Sequence, residues 1–129
     1  MHYILLSGIS QQVIRDLEHN KIKTIEIGSP HNFLSALEAN VEDIIFLTSI
    51  SQEDVRPGTT GIITVIRGKQ ISMHRVVQKT EEYYEEAEVQ RARLQLEMRG
   101  HARVRSVQCC ELGEATSVDA DKVQFFEGR

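Results

Sequence analysis

The segment from residue 20 to residue 27 carries two lysines and a glutamate whose side chains could bind a charged ligand. Lys21 and Lys23 supply ammonium groups that can contact phosphates, and Glu26 supplies a hydrogen-bond acceptor. The segment alternates as a strand does, which would place Lys23 and Glu26 on opposite faces unless a bulge or a strand end intervenes. The alternative is that both side chains are exposed on an edge strand and bind nothing.

A second group of charged side chains lies between residues 91 and 105, where a single glutamate stands among six basic residues: Arg91, Arg93, Arg99, His101, Arg103 and Arg105. We expect two strands joined by a turn at Gly100. This hairpin would gather Arg93 and Arg99 of one strand with Arg103 and Arg105 of the next into one patch able to contact phosphates. The alternative is neutralisation by the glutamates that precede the stretch: Glu81, Glu82, Glu85, Glu86 and Glu88.

Two smaller features bear on ligands and metals. Ser29-Pro30 predicts the start of a helix, and its first turn holds His31 and Asn32, where free backbone N–H groups could help bind an anion or simply be capped. The five histidines have no metal-ligand spacing, and the adjacent Cys109 and Cys110 lack the two-residue gap of a Cys-x-x-Cys site. We therefore expect two structural thiols, no metal and no cofactor.

Length and composition limit the class of protein. A chain of 129 residues is most simply one domain, covering residues 1–129, that buries its own core. The net charge of −4 argues against a general nucleic-acid coat, and no apolar run is long enough to span a membrane or to serve as a signal peptide. We expect a cytoplasmic protein with no membrane partner.

The sequence contains no phosphate loop, dinucleotide-binding glycine pattern or catalytic-serine motif. The enzyme classes that these motifs mark are therefore unsupported.

The elements that must position these residues are mixed. Apolar residues at helical spacing predict helices over residues 11–19 and just after Pro30. Apolar runs predict strands over residues 3–6, 23–27 and 43–48, with a turn at Arg56-Pro57-Gly58. Residues 61–66 and 70–77 are expected to form a β-hairpin that turns at Arg67-Gly68.

The remaining third of the chain changes its pattern in the middle. Residues 81–90 are acidic and helix-prone, whereas strict alternation begins near Arg91 and predicts a strand there. Further strands are expected over residues 102–107 and 122–126. About seven or eight short strands and three short helices predict an α+β fold with a small, partly closed barrel.

The arrangement of these elements resembles a known domain. A helix, the Lys-x-x-Glu strand, an apolar strand and the Pro-Gly-x-x-Gly hairpin together resemble an ASCH domain of the PUA-like superfamily, whose small β-barrels are associated with RNA binding. Lys23 and Glu26 match the family pattern Gly-x-Lys-x-x-Glu-x-Arg, whereas Lys21 replaces its glycine and Gly28 its arginine. The resemblance implies a PUA/ASCH-like barrel with two or three short flanking helices, and a cleft lined by Lys23 and Glu26. The whole chain also resembles an uncharacterised archaeal family found in methanogens, domain of unknown function 473, which has no assigned activity.

We therefore predict a module that binds RNA or a nucleotide-like ligand and performs no chemistry. Its binding residues are expected to be Lys21, Lys23, Glu26, His31, Arg93, Arg103 and Arg105. Some ASCH relatives are amidohydrolases that deacetylate modified cytidine with a lysine and a threonine of this strand. Lys23 aligns with that lysine, but Glu26 occupies the threonine position, which leaves a shift to Thr24 or a Lys23–Glu26 pair acting on water. A regulatory module that binds only protein is the third alternative.

Overall fold

The computed structural model describes residues 2–79, 84–108 and 115–123. This part of the chain forms two α-helices, a short 3₁₀ helix at Gln52–Asp54 and a six-stranded sheet. The elements in chain order are β1 (His2–Leu6), α1 (Gln11–Asn20), β2 (Ile22–Ile27), α2 (Pro30–Glu38), β3 (Ile44–Leu47), β4 (Thr60–Lys79), β5 (Tyr84–Gln108) and β6 (Ser117–Val123). The mixed α+β class predicted from the sequence is confirmed.

The sheet is organised around β5. Its strand order is β2-β5-β4-β3-β1-β6, and β6 pairs with β5 as well as with β1. Among the described strands only β1 and β3 run parallel to each other, and the other neighbours are antiparallel. Because β6 pairs on both sides, the hydrogen-bonded pairings run from β5 through β4, β3, β1 and β6 and return to β5.

Each helix has a defined start and end. Ser10 caps α1 by accepting a hydrogen bond from the Gln12 backbone N–H at 3.2 Å. The helix ends at Asn20, and the next residue, Lys21, adopts a φ of 70° and donates its N–H to the Leu17 carbonyl. Helix α2 begins at Pro30, whose fixed φ suits the first helical position. At its other end the Lys69 ammonium donates to the carbonyls of Leu37 and Ala39, where the negative end of the helix dipole favours a cation.

Two apolar cores lie on opposite sides of the strands. The first packs both helices against the sheet, and its fully buried members include Leu17, Leu47, Ile66, Leu94 and Leu96. The second draws only on the ring of paired strands and on Val55 after the 3₁₀ helix, and it includes Leu5, Phe46, Ile63, Val104 and Val118. Strand β5 contributes to both cores.

Two predicted turns are wrong, and both prove to be β-bulges. Arg67-Gly68 lies within β4, and the pairing with β5 skips a residue between Ile66 and Gly68. Gly100 lies within β5, and the pairing skips Arg99 at the same place. A glycine inside a strand relaxes the backbone at a bulge as readily as it permits a turn, so the two alternatives share one sequence signal.

Three other predictions concern chain segments near the ends of these strands. The helix predicted over residues 81–90 is wrong for residues 84–90, which pair with residues 73–79 as the outer part of β4 and β5. That outer ribbon satisfies its backbone hydrogen bonds across the two strands, which outweighs a helix-prone composition. The last strand is found at Ser117–Val123, with residues 124–126 outside the described part. Cys109 and Cys110 also lie outside it.

Candidate functional site

The structure separates the lysine and glutamate side chains of the Lys-x-x-Glu strand. Strand β2 pairs with β5 in an unbroken register from Ile22 to Ile27, so no bulge brings Lys23 and Glu26 to one face. The Lys23 ammonium lies toward α1 and contacts the Asp16 carboxylate at 2.9 Å, and Lys21 is exposed at the end of that helix. The expected cleft lined by both Lys23 and Glu26 is therefore not formed.

Both of these side chains lie in ion pairs. The Lys23 ammonium donates a hydrogen bond that, together with the Gln12 amide, holds the pKa of Asp16 below its ordinary value. On the opposite face Glu26 accepts a hydrogen bond from Arg93 at 2.8 Å, which lowers the pKa of Glu26. The role of these pairs is to join α1 to β2 and β2 to β5.

The basic residues of β5 do not form the predicted patch, because no turn interrupts that strand. Arg93 lies beside β2, whereas Arg103 and Arg105 lie roughly 30 Å further along the same strand, at about 3.3 Å per residue. The backbone of the glutamates within β5 that were expected to neutralise the patch pairs with residues 75–78 of β4, in the outer part of the strand. Arg105 approaches a different carboxylate, Asp121, at 3.5 Å, and both side chains are largely exposed.

A cleft of about 280 Å³ opens between α1 and the start of β4, at the end of the sheet that carries Arg103. Its walls are Gln11, Ile14, Arg15, Glu18, Ser49, Thr60, Gly61, Ile62 and His101. The Nε2 atom of His101 lies 3.2 Å from a carboxylate oxygen of Glu18, and each side chain is a little over one-third exposed. This pair joins α1 to β5 across the cleft.

The bulge at Arg99 turns His101 and Arg103 toward this cleft. Before the bulge, the even-numbered residues of β5 face the helices, and after it Ala102 and Val104 enter the second core. After the bulge, the odd-numbered residues of β5, which include His101 and Arg103, therefore face the helices. Arg103 is paired with Thr60, which lines the cleft, so Arg103 lies at its rim.

The cleft combines several recognition groups. Ile14 and Ile62 supply apolar surface, Glu18 supplies an acceptor, and the guanidinium of Arg15 faces the same space. Among the residues described, Arg103 has no ion-pair partner, so its charge is available to a ligand. The set can hold a planar polar group and an adjoining phosphate.

Sequence reasoning found part of this site and missed the contribution of α1. His101 and Arg103 stood in the predicted basic stretch. Four wall residues of α1 follow one another at the spacing i, i+3, i+4 and i+7, which places them on one face of the helix: Gln11, Ile14, Arg15 and Glu18. Three polar side chains that share one helical face with Ile14 were the available signal.

His31 lies elsewhere, in the first turn of α2, beside a different cavity that also involves Ser7 and Ser29. The structure therefore divides the predicted binding residues among five places: the α1–β2 contact, the β2–β5 contact, the cleft, the contact of Arg105 with Asp121, and this cavity. Within the described ranges, no group of three or more His, Cys, Asp or Glu side chains is placed to hold a metal ion. Both α-helices of the same ranges are too short to span a membrane.

Comparisons with known proteins give a family but no activity. Residues 1–118 match a family described as protein of unknown function, DUF473. An uncharacterised protein of Methanocaldococcus jannaschii is 37% identical over 98 residues, which is 76% of this chain. The matched region is 61% of that relative, so the chain spans less than two thirds of its length. No solved structure matches the chain.

Proposed function

Because the chain belongs to DUF473, a family of proteins of unknown function, we propose its function from the cleft itself: it binds RNA without performing chemistry. One nucleotide unit enters the cleft between α1 and β4, and the neighbouring phosphates lie along Arg103 and Arg105. Residues 1–129 act in this as one domain.

The proposal rests on the contact between Glu18 and His101, which lies beside the apolar walls of the cleft. Arg15 of α1 lines the same cleft, and Arg103 of β5 lies at its rim. The Glu18 carboxylate can accept hydrogen bonds from the amino group of a base or from a ribose hydroxyl. The guanidinium groups of Arg15 and Arg103 can each bind a phosphate in a bidentate manner. A nucleotide presents these chemical groups together.

The size of the cleft favours a single unstacked base. Its volume of about 280 Å³ is near the lower end of the range of small-ligand sites, and it is too small for a duplex. Sequence-specific recognition of RNA mostly targets bases that are splayed out of single strands or loops. We therefore favour single-stranded RNA or a loop over double-stranded RNA.

The net charge fits a local contact rather than a coating function. With a formal charge of −4, the protein as a whole repels a polyanion, so attraction depends on the few arginines at the cleft. Binding should therefore be of moderate affinity and should involve a small number of phosphates.

The pairings of the sheet also support a PUA-like fold for this module. Strands β5, β4, β3, β1 and β6 pair in a ring, and the second core draws its residues from these same strands. A small barrel with a helix packed at its side is the arrangement that the resemblance to ASCH domains implies. We propose that this ring is such a barrel.

The enzyme alternative receives no support from the geometry. Lys23 is paired with Asp16, and Glu26 lies on the other face of β2, so the two cannot act together on one water molecule. Thr24 has the same orientation as Glu26, because two residues separate them along the strand. RNA binding without chemistry is the simpler proposal.

The test is binding of fluorescent RNA, single-stranded and structured, measured by anisotropy at 50 and 200 mM salt. For single strands the slope of log K against log salt is about −0.7 per phosphate neutralised, so three contacts predict a fall of roughly 15- to 20-fold. The variant Arg103→Ala/Arg105→Ala should bind more weakly and flatten the slope by about 1.4.

The matched control removes the same number of charges from the same strand. Arg91→Ala/Arg93→Ala lies near β2, far from the cleft, and should bind RNA as the wild type does. Equal loss in both double variants would show a nonspecific charge effect and contradict the cleft. Absence of binding at 50 mM salt would refute the RNA proposal, and binding of mononucleotides alone would replace it with a free-nucleotide site.

A further inference from the structure

A second cavity, of about 310 Å³, lies where the chain leaves the two parallel strands. Because β1 and β3 run parallel, Ser7-Gly8 after β1 and residues 51–53 after β3 meet at one edge of the sheet. After β1 the chain continues into α1 on the side of the first core, whereas after β3 it leads to Val55 in the second core. Crevices at the carboxyl ends of parallel strands, where the connections diverge, are common ligand sites.

The N-terminus of α2 opens into this cavity. Ser29 precedes the helix, but its side chain makes no capping hydrogen bond. His31 and Asn32 both line the cavity from the first helical turn, where backbone N–H groups have no acceptor within the helix. Such N–H groups and the helix dipole favour an anion at this point.

Two buried hydroxyls at the cavity give a second, independent indication of a ligand. Ser7 is only 1% exposed, and the amide of Asn32 binds both its backbone N–H (3.1 Å) and its carbonyl (2.8 Å). The hydroxyls of Ser7 and Ser29 are buried and have no hydrogen-bond partner among the described residues. Buried hydroxyls in native proteins are almost always paired, so two unpaired ones at the wall of one cavity call for an acceptor there.

We propose that this cavity binds the phosphate group of a small phosphate monoester. The hydroxyls of Ser7 and Ser29 and the backbone N–H groups of His31 and Asn32 donate hydrogen bonds to its oxygens, and the His31 imidazole lies beside them. Glu53 also lines the cavity, and its carboxylate accepts a hydrogen bond from a hydroxyl on the carbon part of the ligand. A sugar phosphate or glycerol phosphate has this combination of groups.

The proposal does not depend on RNA binding, because the cavity shares no wall residue with the cleft. A phosphate site also gives a purpose to the two hydrogen bonds between the Asn32 side chain and the Ser7 backbone. That contact fixes the end of β1 against the first turn of α2, so the serine hydroxyl and the helix N–H groups keep a constant spacing.

The first experiment titrates ¹⁵N-labelled full-length protein with inorganic phosphate and with glycerol phosphate at constant ionic strength. We expect the amide signals of His31 and Asn32 to shift in a saturable manner and the melting temperature to rise. Shifts confined to other residues, or no saturable shift with either probe, would overturn the proposal.

Variants then assign the roles. Ser7→Ala should fold, because it removes a hydroxyl that has no protein partner, and it should weaken binding of both probes at least fivefold. Thr64→Val is the matched control, because Thr64 also has a buried unpaired hydroxyl but does not line the cavity. It should bind phosphate as the wild type does, and equal weakening in the two variants would refute the site.

Glu53→Gln should weaken binding of glycerol phosphate and should leave binding of inorganic phosphate unchanged or slightly stronger. The reverse pattern would exclude the proposed role of Glu53.

Discussion

Gly61 lies directly against Phe46, and a Cβ atom added to this glycine would lie 2.7 Å from Cζ of that ring. The same Cβ would also collide with the carbonyl oxygen of Leu47, which belongs to the backbone of the neighbouring strand. The glycine that ends the Pro-Gly-x-x-Gly motif therefore allows β4 to approach β3 closely, where Phe46 fills the second core.

Gly61→Ala should destabilise the protein by about 2–3 kcal/mol, because the methyl group has no room and backbone must move. Urea denaturation followed by circular dichroism measures the change. Gly100→Ala serves as the control, since a Cβ atom added there would meet nothing within 4 Å, and its stability should stay within about 0.5 kcal/mol of the wild type. Similar losses in both variants would mean that the contact with Phe46 does not set the requirement for glycine at this position.

The carboxylate of Glu97 should make stability depend on pH in the acidic range. The hydrogen bond from Arg67, 2.6 Å long, lowers the pKa of Glu97 below its ordinary value of 4.5, with burial opposing the effect. A carboxyl whose pKa is lower in the folded state stabilises the fold above its unfolded pKa, and this contribution is lost as pH falls through the folded pKa. The urea midpoint should therefore fall as pH decreases below about 4.5.

Glu97→Gln tests that assignment by comparison with the wild type. The variant should be less stable at pH 6, and the difference between the two proteins should shrink toward pH 3. Glu26→Gln removes a carboxylate whose pair with Arg93 is more than half exposed, so its difference should be smaller. A wild-type-like pH profile in Glu97→Gln would contradict the role given to the Arg67 contact.

The two hydrogen bonds from Asn32 to Ser7 predict a specific pattern of losses. Asn32→Ala leaves a buried N–H and a buried carbonyl without partners and should cost about 2–4 kcal/mol. Asn32→Asp keeps an acceptor for the Ser7 N–H but brings a carboxylate oxygen against the Ser7 carbonyl. Its deficit relative to the wild type should be large at pH 7 and smaller at pH 3, where a protonated acid can donate. Thermal unfolding at both pH values measures this, and a deficit that does not change with pH would argue that the amide N–H is dispensable.

The helices and short strands could be predicted from sequence because their signals are local. Ser10 and Ser29-Pro30 mark the starts of α1 and α2, and apolar spacing gives their buried faces. The turn at Arg56-Pro57-Gly58 was likewise predicted correctly, and Gly58 adopts a φ of 98° there. Each of these features depends on a few neighbouring residues.

The site could be predicted only in part because its assembly depends on pairing between distant strands. Arg67-Gly68 and Arg99-Gly100 are equally compatible with a turn or a bulge, and the choice is decided by twenty or so residues of ladder between β4 and β5. A turn at Gly100 would make Arg93 and Arg103 neighbours, whereas a bulge at Arg99 leaves them about ten residues apart on one strand. The contact between Glu18 and His101 follows from the second reading and from the position of α1, neither of which is encoded locally.

The bulge at Arg99 also determines where this strand can change length over evolution. Deleting Arg99 would remove the bulge and leave Met98 opposite Thr64 and Gly100 opposite Ile63, so Ala102 and Val104 would still face the second core. A paired insertion or deletion in the outer ribbon, where residues 72–79 of β4 pair with residues 84–91 of β5, would leave every residue of the cleft in place. Relatives of this chain should accordingly vary in length at the ribbon or by the one residue at the bulge, and elsewhere between Leu96 and Val104 they should keep the spacing.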